Sequence, residues 1–128
     1  MRGSDTSRRG WVILLGLCAL GVWSGGDISA GGNAEVGEKV YNAQNCKECH
    51  GDTGKGDGFI IPMLKVKVQM HDWTDKAVMA RFTDDYLAEI TAKGGEALGK
   101  SPAMLVYGEK LSEQQIKDIV AYIRSLAR

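Results

Sequence analysis

Cys46-Lys47-Glu48-Cys49-His50 is the stretch on which the reading of this chain turns. Two thiols stand three positions apart and an imidazole follows directly. On one helical turn, thiols at that spacing can reach two vinyl groups on adjacent edges of a haem and form thioethers, while the next residue's imidazole swings under the ring to bind iron. C-x-x-C-H is accordingly the attachment sequence for a covalently held haem. Cys46 and Cys49 are assigned the two thioethers, and His50 one axial position on the iron.

Two rival chemistries share these letters. Cys-x-x-Cys is half of many zinc sites and the core of thioredoxin-type dithiols. A structural zinc needs four ligands, and beyond residue 30 the chain offers Cys46, Cys49, His50 and His71, with His50 awkwardly adjacent to Cys49. A dithiol needs a βαβ setting that the surrounding pattern lacks.

Working outward, the pattern predicts a helix from about Val36 into the motif, with Val36, Val40 and Ala43 on one side and no proline to interrupt it. Gly51-Asp52-Thr53-Gly54-Lys55-Gly56-Asp57-Gly58 then stops the helix, because glycine costs backbone entropy and readily takes positive φ. A phosphate-cradling loop would need a flanking strand and a Gly-Lys-Ser/Thr ending, and both are missing. Thr83-Asp84-Asp85 predicts a second helix with a threonine cap and acids at its positive end, Leu87 and Ile90 on its apolar side, and Gly94-Gly95 at its stop. The last helix carries a capping-box pattern at Ser112 and Gln115, and its core face is Ile116, Ile119, Val120 and Ile123.

The N-terminus reads as an export signal. Arg2, Arg8 and Arg9 precede a thirteen-residue apolar run from Trp11 to Trp23, and small residues follow to Ala30. That run is shorter than the ~20 residues a membrane-spanning helix needs, so cleavage after Ala30 is favoured over a permanent anchor. Ser7-Arg8-Arg9-Gly10-Trp11 is a loose twin-arginine pattern, and Leu17 beside Cys18 is too bulky for a lipoprotein signal. The expected organisation is a signal peptide at 1–30 and one domain at 31–128. Sixteen basic residues balance sixteen acidic ones, and without the first thirty residues thirteen face fourteen. That balance argues against a nucleic-acid binder, which needs excess positive charge to displace counterions.

From Val36 to Leu126, on the strength of the haem motif and the glycine-rich loop behind it, the chain resembles a class I, Met-ligated, monohaem c-type cytochrome of the bacterial periplasmic kind. The resemblance implies an all-α fold, the small cytochrome c fold, with three to five helices wrapped around one covalently bound haem c. It also implies that the first and last helices cross closely, with Gly37 and Tyr41 opposite Tyr122. Pro62 would turn its carbonyl toward His50, and Trp73, in Asp72-Trp73-Thr74-Asp75, would lie near the haem propionates. Met104, in Ser101-Pro102-Ala103-Met104, would be the sixth ligand to iron. Relatives commonly place proline after that methionine, whereas Leu105 stands here. Met63, Met70, Met79 and His71 are the alternative ligands, and His71 would give a bis-His haem of lower potential.

The implied function is one-electron transfer between periplasmic protein redox partners rather than catalysis. Lys47, Lys55, Lys65, Lys67 and Lys100 are candidates for a docking rim. Membrane association is expected only if the N-terminal segment stays uncleaved. A haem subunit of a larger oxidoreductase, or a haem enzyme or gas sensor with an open sixth position, are the alternatives.

Overall fold

Asn33 begins the helical part of the chain: its side chain accepts a hydrogen bond from the Val36 N–H and caps α1 (Ala34–Ala43). The computed structural model describes residues 31–128 together with the two-residue strand Ile28–Ser29; the expected export segment up to residue 27, with Cys18, lies outside the described residues. Five helices follow in order, α1, α2 (Lys47–His50), α3 (Lys76–Met79), α4 (Asp84–Ala97) and α5 (Glu113–Leu126). A 3-10 turn at Ile61–Met63 lies between α2 and α3. The strands, β1 (Ile28–Ser29) and β2 (Gly32–Asn33), pair antiparallel just before α1. The expected all-α fold is the fold observed.

Helix α1 does not run into the motif as the pattern predicted. It ends at Gln44, and Asn45 takes a left-handed backbone conformation (φ 57°), which asparagine tolerates better than most residues. Helical geometry resumes at Cys46. The buried face of α1 is also not the Val36/Val40/Ala43 stripe; Gly37 and Tyr41, one turn apart, are buried, and Val36 is 40% exposed. The reason lies in α5. A Cβ on Gly37 would run into the Asp118 carbonyl and the Tyr122 Cβ, so the two backbones touch at this glycine. Turning α1 to bury Val36 would break that contact.

Helix α5 carries the core. Its capping box is complete: Ser112 Oγ accepts from the Gln115 N–H and Gln115 Oε1 from the Ser112 N–H. Ile116, Ile119, Val120 and Ile123 are all buried, as their spacing predicted, and pack with Tyr41, Trp73, Met79, Leu87 and Leu111. Burial of each such side chain contributes roughly 1.5–3 kcal/mol. Two polar anchors on α5 had no signal in the hydrophobic pattern. Buried Asp118 accepts from the Asn33 N–H at 2.8 Å and from Gln114, tying the 31–33 segment to α5. Arg124 pairs with Asp84 at 2.6 Å and donates to the carbonyls of Met79 and Phe82, which joins the end of α3 and the start of α4 to α5.

Thr83 caps α4 as predicted, and Leu87 is buried. The helix breaks at Gly94 (φ 79°, ψ 171°), close to the expected stop, then adds one short turn. The chain beyond doubles back: Met104 O accepts from Gly95 N–H, and the N–H groups of Tyr107 and Gly108 donate to Thr91 and Ala92 carbonyls. A Cβ at Gly94 would press on the Met104 carbonyl, so the glycine pair admits the returning loop.

Candidate functional site

The haem motif is built as one helical turn with its far end closed by the glycine loop. His50 N–H donates to Cys46 O at 2.9 Å, so Cys46, Cys49 and His50 share that turn. A helix end leaves carbonyls without partners. Here the chain returns antiparallel across them: Gly56 N–H donates to His50 O, Gly58 N–H to Cys49 O, and Ile60 N–H to Glu48 O, at 2.8–3.1 Å. Gly58 makes the approach feasible, since a Cβ there would overlap the backbone of Glu48 and Cys49. Buried Tyr41 completes the closure by donating its hydroxyl to Gly51 O at 2.6 Å.

Both thiols are free. Burial pushes Cys46 up to about 11, and burial followed by the charge of Glu48 raises Cys49. Thiols held protonated are unlike the activated thiolate of a dithiol oxidoreductase. The zinc alternative also lacks support, because the described residues contain no cluster of three or more His, Cys, Asp or Glu able to hold a metal ion.

Burial lowers His50 to about 4, which leaves the imidazole neutral and its lone pair available to a metal. Its Nδ1 is buried without a hydrogen-bond partner. The expected donation from the imidazole to the Pro62 carbonyl is therefore not made: Pro62 lies exposed in the 3-10 turn. Trp73, expected beside the propionates, is buried face to face with His50, ring centroids 4.2 Å apart and planes 21° from parallel.

Met104 is half-buried in the loop held to Gly94-Gly95. Three residues on, Tyr107 is half-buried against the core, and burial, then the charges of Cys46 and Cys49, raise its pKa. Sequence reading missed Tyr107, whose signal was its position just beyond the methionine. Among the alternative ligands, Met79 is core filling at 2% exposed, Met63 is 63% exposed, and Met70 packs its Cβ near Gly56. His71 is half-buried against Phe82 at 5.1 Å; burial, then Arg81 and Lys100, hold its pKa low. The five lysines proposed as a docking rim are all exposed.

These residues fit a covalently bound haem. Two unoxidised thiols three apart and a neutral imidazole on the same helical turn supply the attachment and ligand chemistry. Large apolar side chains stand exposed in both stretches, Phe59 and Met63 beyond the motif and Leu105 and Val106 beyond Met104.

A comparison with protein families agrees: the cytochrome c model matches residues 34–127, and the chain belongs to the cytochrome c family. Among solved structures it is similar to the KustC0563 c-type cytochrome, with 25% identity and a TM-score of 0.55, covering 72% of this chain and 98% of that one. No curated protein matches the chain. Membership makes this a monohaem c-type cytochrome, a protein of haem-based electron transfer whose Cys46 and Cys49 occupy the attachment positions.

Proposed function

We propose that the chain works as a one-electron carrier of the periplasm, exported by residues 1–30 and active as 31–128, with His50 and Met104 as axial ligands. The observation that carries this reading is the motif turn itself, where two free thiols and a neutral imidazole stand together on one helical turn. The loop that carries Met104, pinned by hydrogen bonds to Thr91, Ala92 and Gly95, supports methionine as the second ligand. When bound, the haem supplies an iron that alternates between ferric and ferrous states and so accepts and releases one electron.

The chain's own residues do the rest. Cys46 and Cys49 would hold the group covalently, and His50 and Met104 would supply its iron ligands, which would leave no position for dioxygen or peroxide. The thioether of Met104 favours ferrous iron and raises the potential relative to a bis-His site. Trp73 and Tyr41 keep water from the motif's inner side, and the rigid hydrogen-bonded loops limit rearrangement between oxidation states. Exposed Lys47, Lys55, Lys65, Lys67 and Lys100 offer positive charge to acidic protein partners, donor and acceptor alike. No helix among the described residues is long and apolar enough to cross a membrane, which suits a diffusing carrier as well as a haem subunit.

The optical spectrum of the holoprotein beside a Met104→Ala variant tests the ligand set. A weak near-infrared sulfur-to-iron band is expected in the wild type and not in the variant. Its persistence in the variant, or rapid carbon monoxide binding by reduced wild type at neutral pH, would refute the closed His50/Met104 site.

A further inference from the structure

His50 lies ring on ring with Trp73, and the indole is held in place from several sides. Its backbone N–H donates to Gly54 O at 2.8 Å, and the Tyr41 ring meets it edge-on at 6.3 Å. Gly54 is required by this packing: a Cβ there would stand 3.1 Å from the indole Cε3 and closer still to Leu126, at a backbone φ of +75°. The imidazole has no comparable restraint from hydrogen bonding, since Nδ1 is buried and unpartnered. Histidine ligands are ordinarily oriented by a hydrogen bond to the nitrogen that does not bind metal. Among the described residues, the aromatic ring that lies against the imidazole plane is the Trp73 indole.

We propose that Trp73 is a positioning residue for the iron ligand, its stacked indole fixing the plane of the His50 imidazole and tuning the electron affinity of the site. The inference rests on the reading of His50 as an axial ligand. A ligated imidazole carries more positive charge when the iron is ferric than when it is ferrous. The electron-rich indole face attracts positive charge, so the stacking stabilises the ferric state. Replacing that face with an aliphatic side chain removes both effects, the restraint on ring rotation and the attraction.

The test uses the holoprotein as wild type, Trp73→Leu and Trp73→Phe, with proton NMR of the ferric state and a redox titration. Trp73→Leu is expected to rearrange the order of the four haem-methyl shifts and to raise the ferrous-to-ferric ratio at fixed potential by roughly two- to fivefold. Trp73→Phe, which keeps a ring face, is expected to retain the wild-type order. Trp73 is the one tryptophan in residues 31–128, so fluorotryptophan labelling of the wild-type chain gives an isosteric, electron-poorer face that also raises the ratio. That measurement decides the question should Trp73→Leu not fold. An unchanged methyl order and ratio in Trp73→Leu, or an unchanged ratio in the fluorotryptophan protein if the leucine variant is lost, would make Trp73 a packing residue and overturn the proposal. Strongly shifted imidazole protons from His50 in the wild type keep the two readings apart: their absence refutes His50 ligation, whereas their presence with no response to Trp73 refutes only the positioning role.

Discussion

Tyr41 shows how much one hydroxyl contributes where the motif turn meets the glycine loop. Burial raises its pKa, so it keeps its proton and donates to Gly51 O. Tyr41→Phe removes that bond but leaves the carbonyl its second donor, the Gly54 N–H. The expected loss is about 1 kcal/mol of holoprotein stability in urea denaturation, with the optical spectrum unchanged. The cysteines give a sharper readout. Either single variant, Cys46→Ala or Cys49→Ala, is expected to keep haem on the chain in denaturant through the remaining thioether, and the double variant to release all of it, measured by solvent extraction. The residue types of the motif stated this chemistry before any coordinates. Tyr107 and the stacking of Trp73 did not show, because they depend on loops separated from the motif by tens of residues.

At the scale of elements, the α1–α5 crossing and the Arg124 clamp decide how the haem-bearing turn is carried. Gly37→Ala puts a methyl where the Asp118 carbonyl already stands, and backbone cannot rotate away as a side chain would. The helices must separate, at an expected cost of about 1–3 kcal/mol, read as a lower urea midpoint at constant slope. Arg124→Met leaves the Phe82 carbonyl without its donor and the Met79 carbonyl with only the Phe82 N–H, for an expected loss of roughly 1–2 kcal/mol. The half-exposed pair with Asp84 adds little to that figure. Arg124→Lys should recover only part, since an ammonium cannot reach three acceptors with the fixed geometry of a guanidinium. Caps at Thr83 and Ser112 were legible from residue types at fixed offsets. The break at Asn45 was not, for no proline or glycine marks it and helix propensity alone carries α1 forward.

For the molecule as a whole, His71 makes one contribution to stability in acid. Burial, aided by Arg81 and Lys100, puts its folded pKa below the unfolded value of about 6.5. The unfolded chain then binds the proton more readily, so this contribution is fully present above about pH 6.5 and is lost as the pH falls from there through the folded pKa. His71→Gln is expected to flatten the stability–pH profile of the holoprotein below about pH 6.5 and to leave the neutral optical spectrum unchanged. A spectrum that does change would point to His71 as an iron ligand.

The sequence by itself determined the cofactor and the class of fold, because covalent attachment is local chemistry: two thiols and an imidazole within five residues carry it wherever the chain goes. It also determined the last helix, whose cap and apolar spacing are local as well. The resemblance also placed Gly37 and Tyr41 against Tyr122, as observed; only the tertiary structure decided that the Pro62 carbonyl does not reach His50 and that Trp73 lies flat on the imidazole. Those outcomes depend on what approaches from elsewhere in the chain, such as an indole admitted by Gly54, and such approaches leave no periodicity to read.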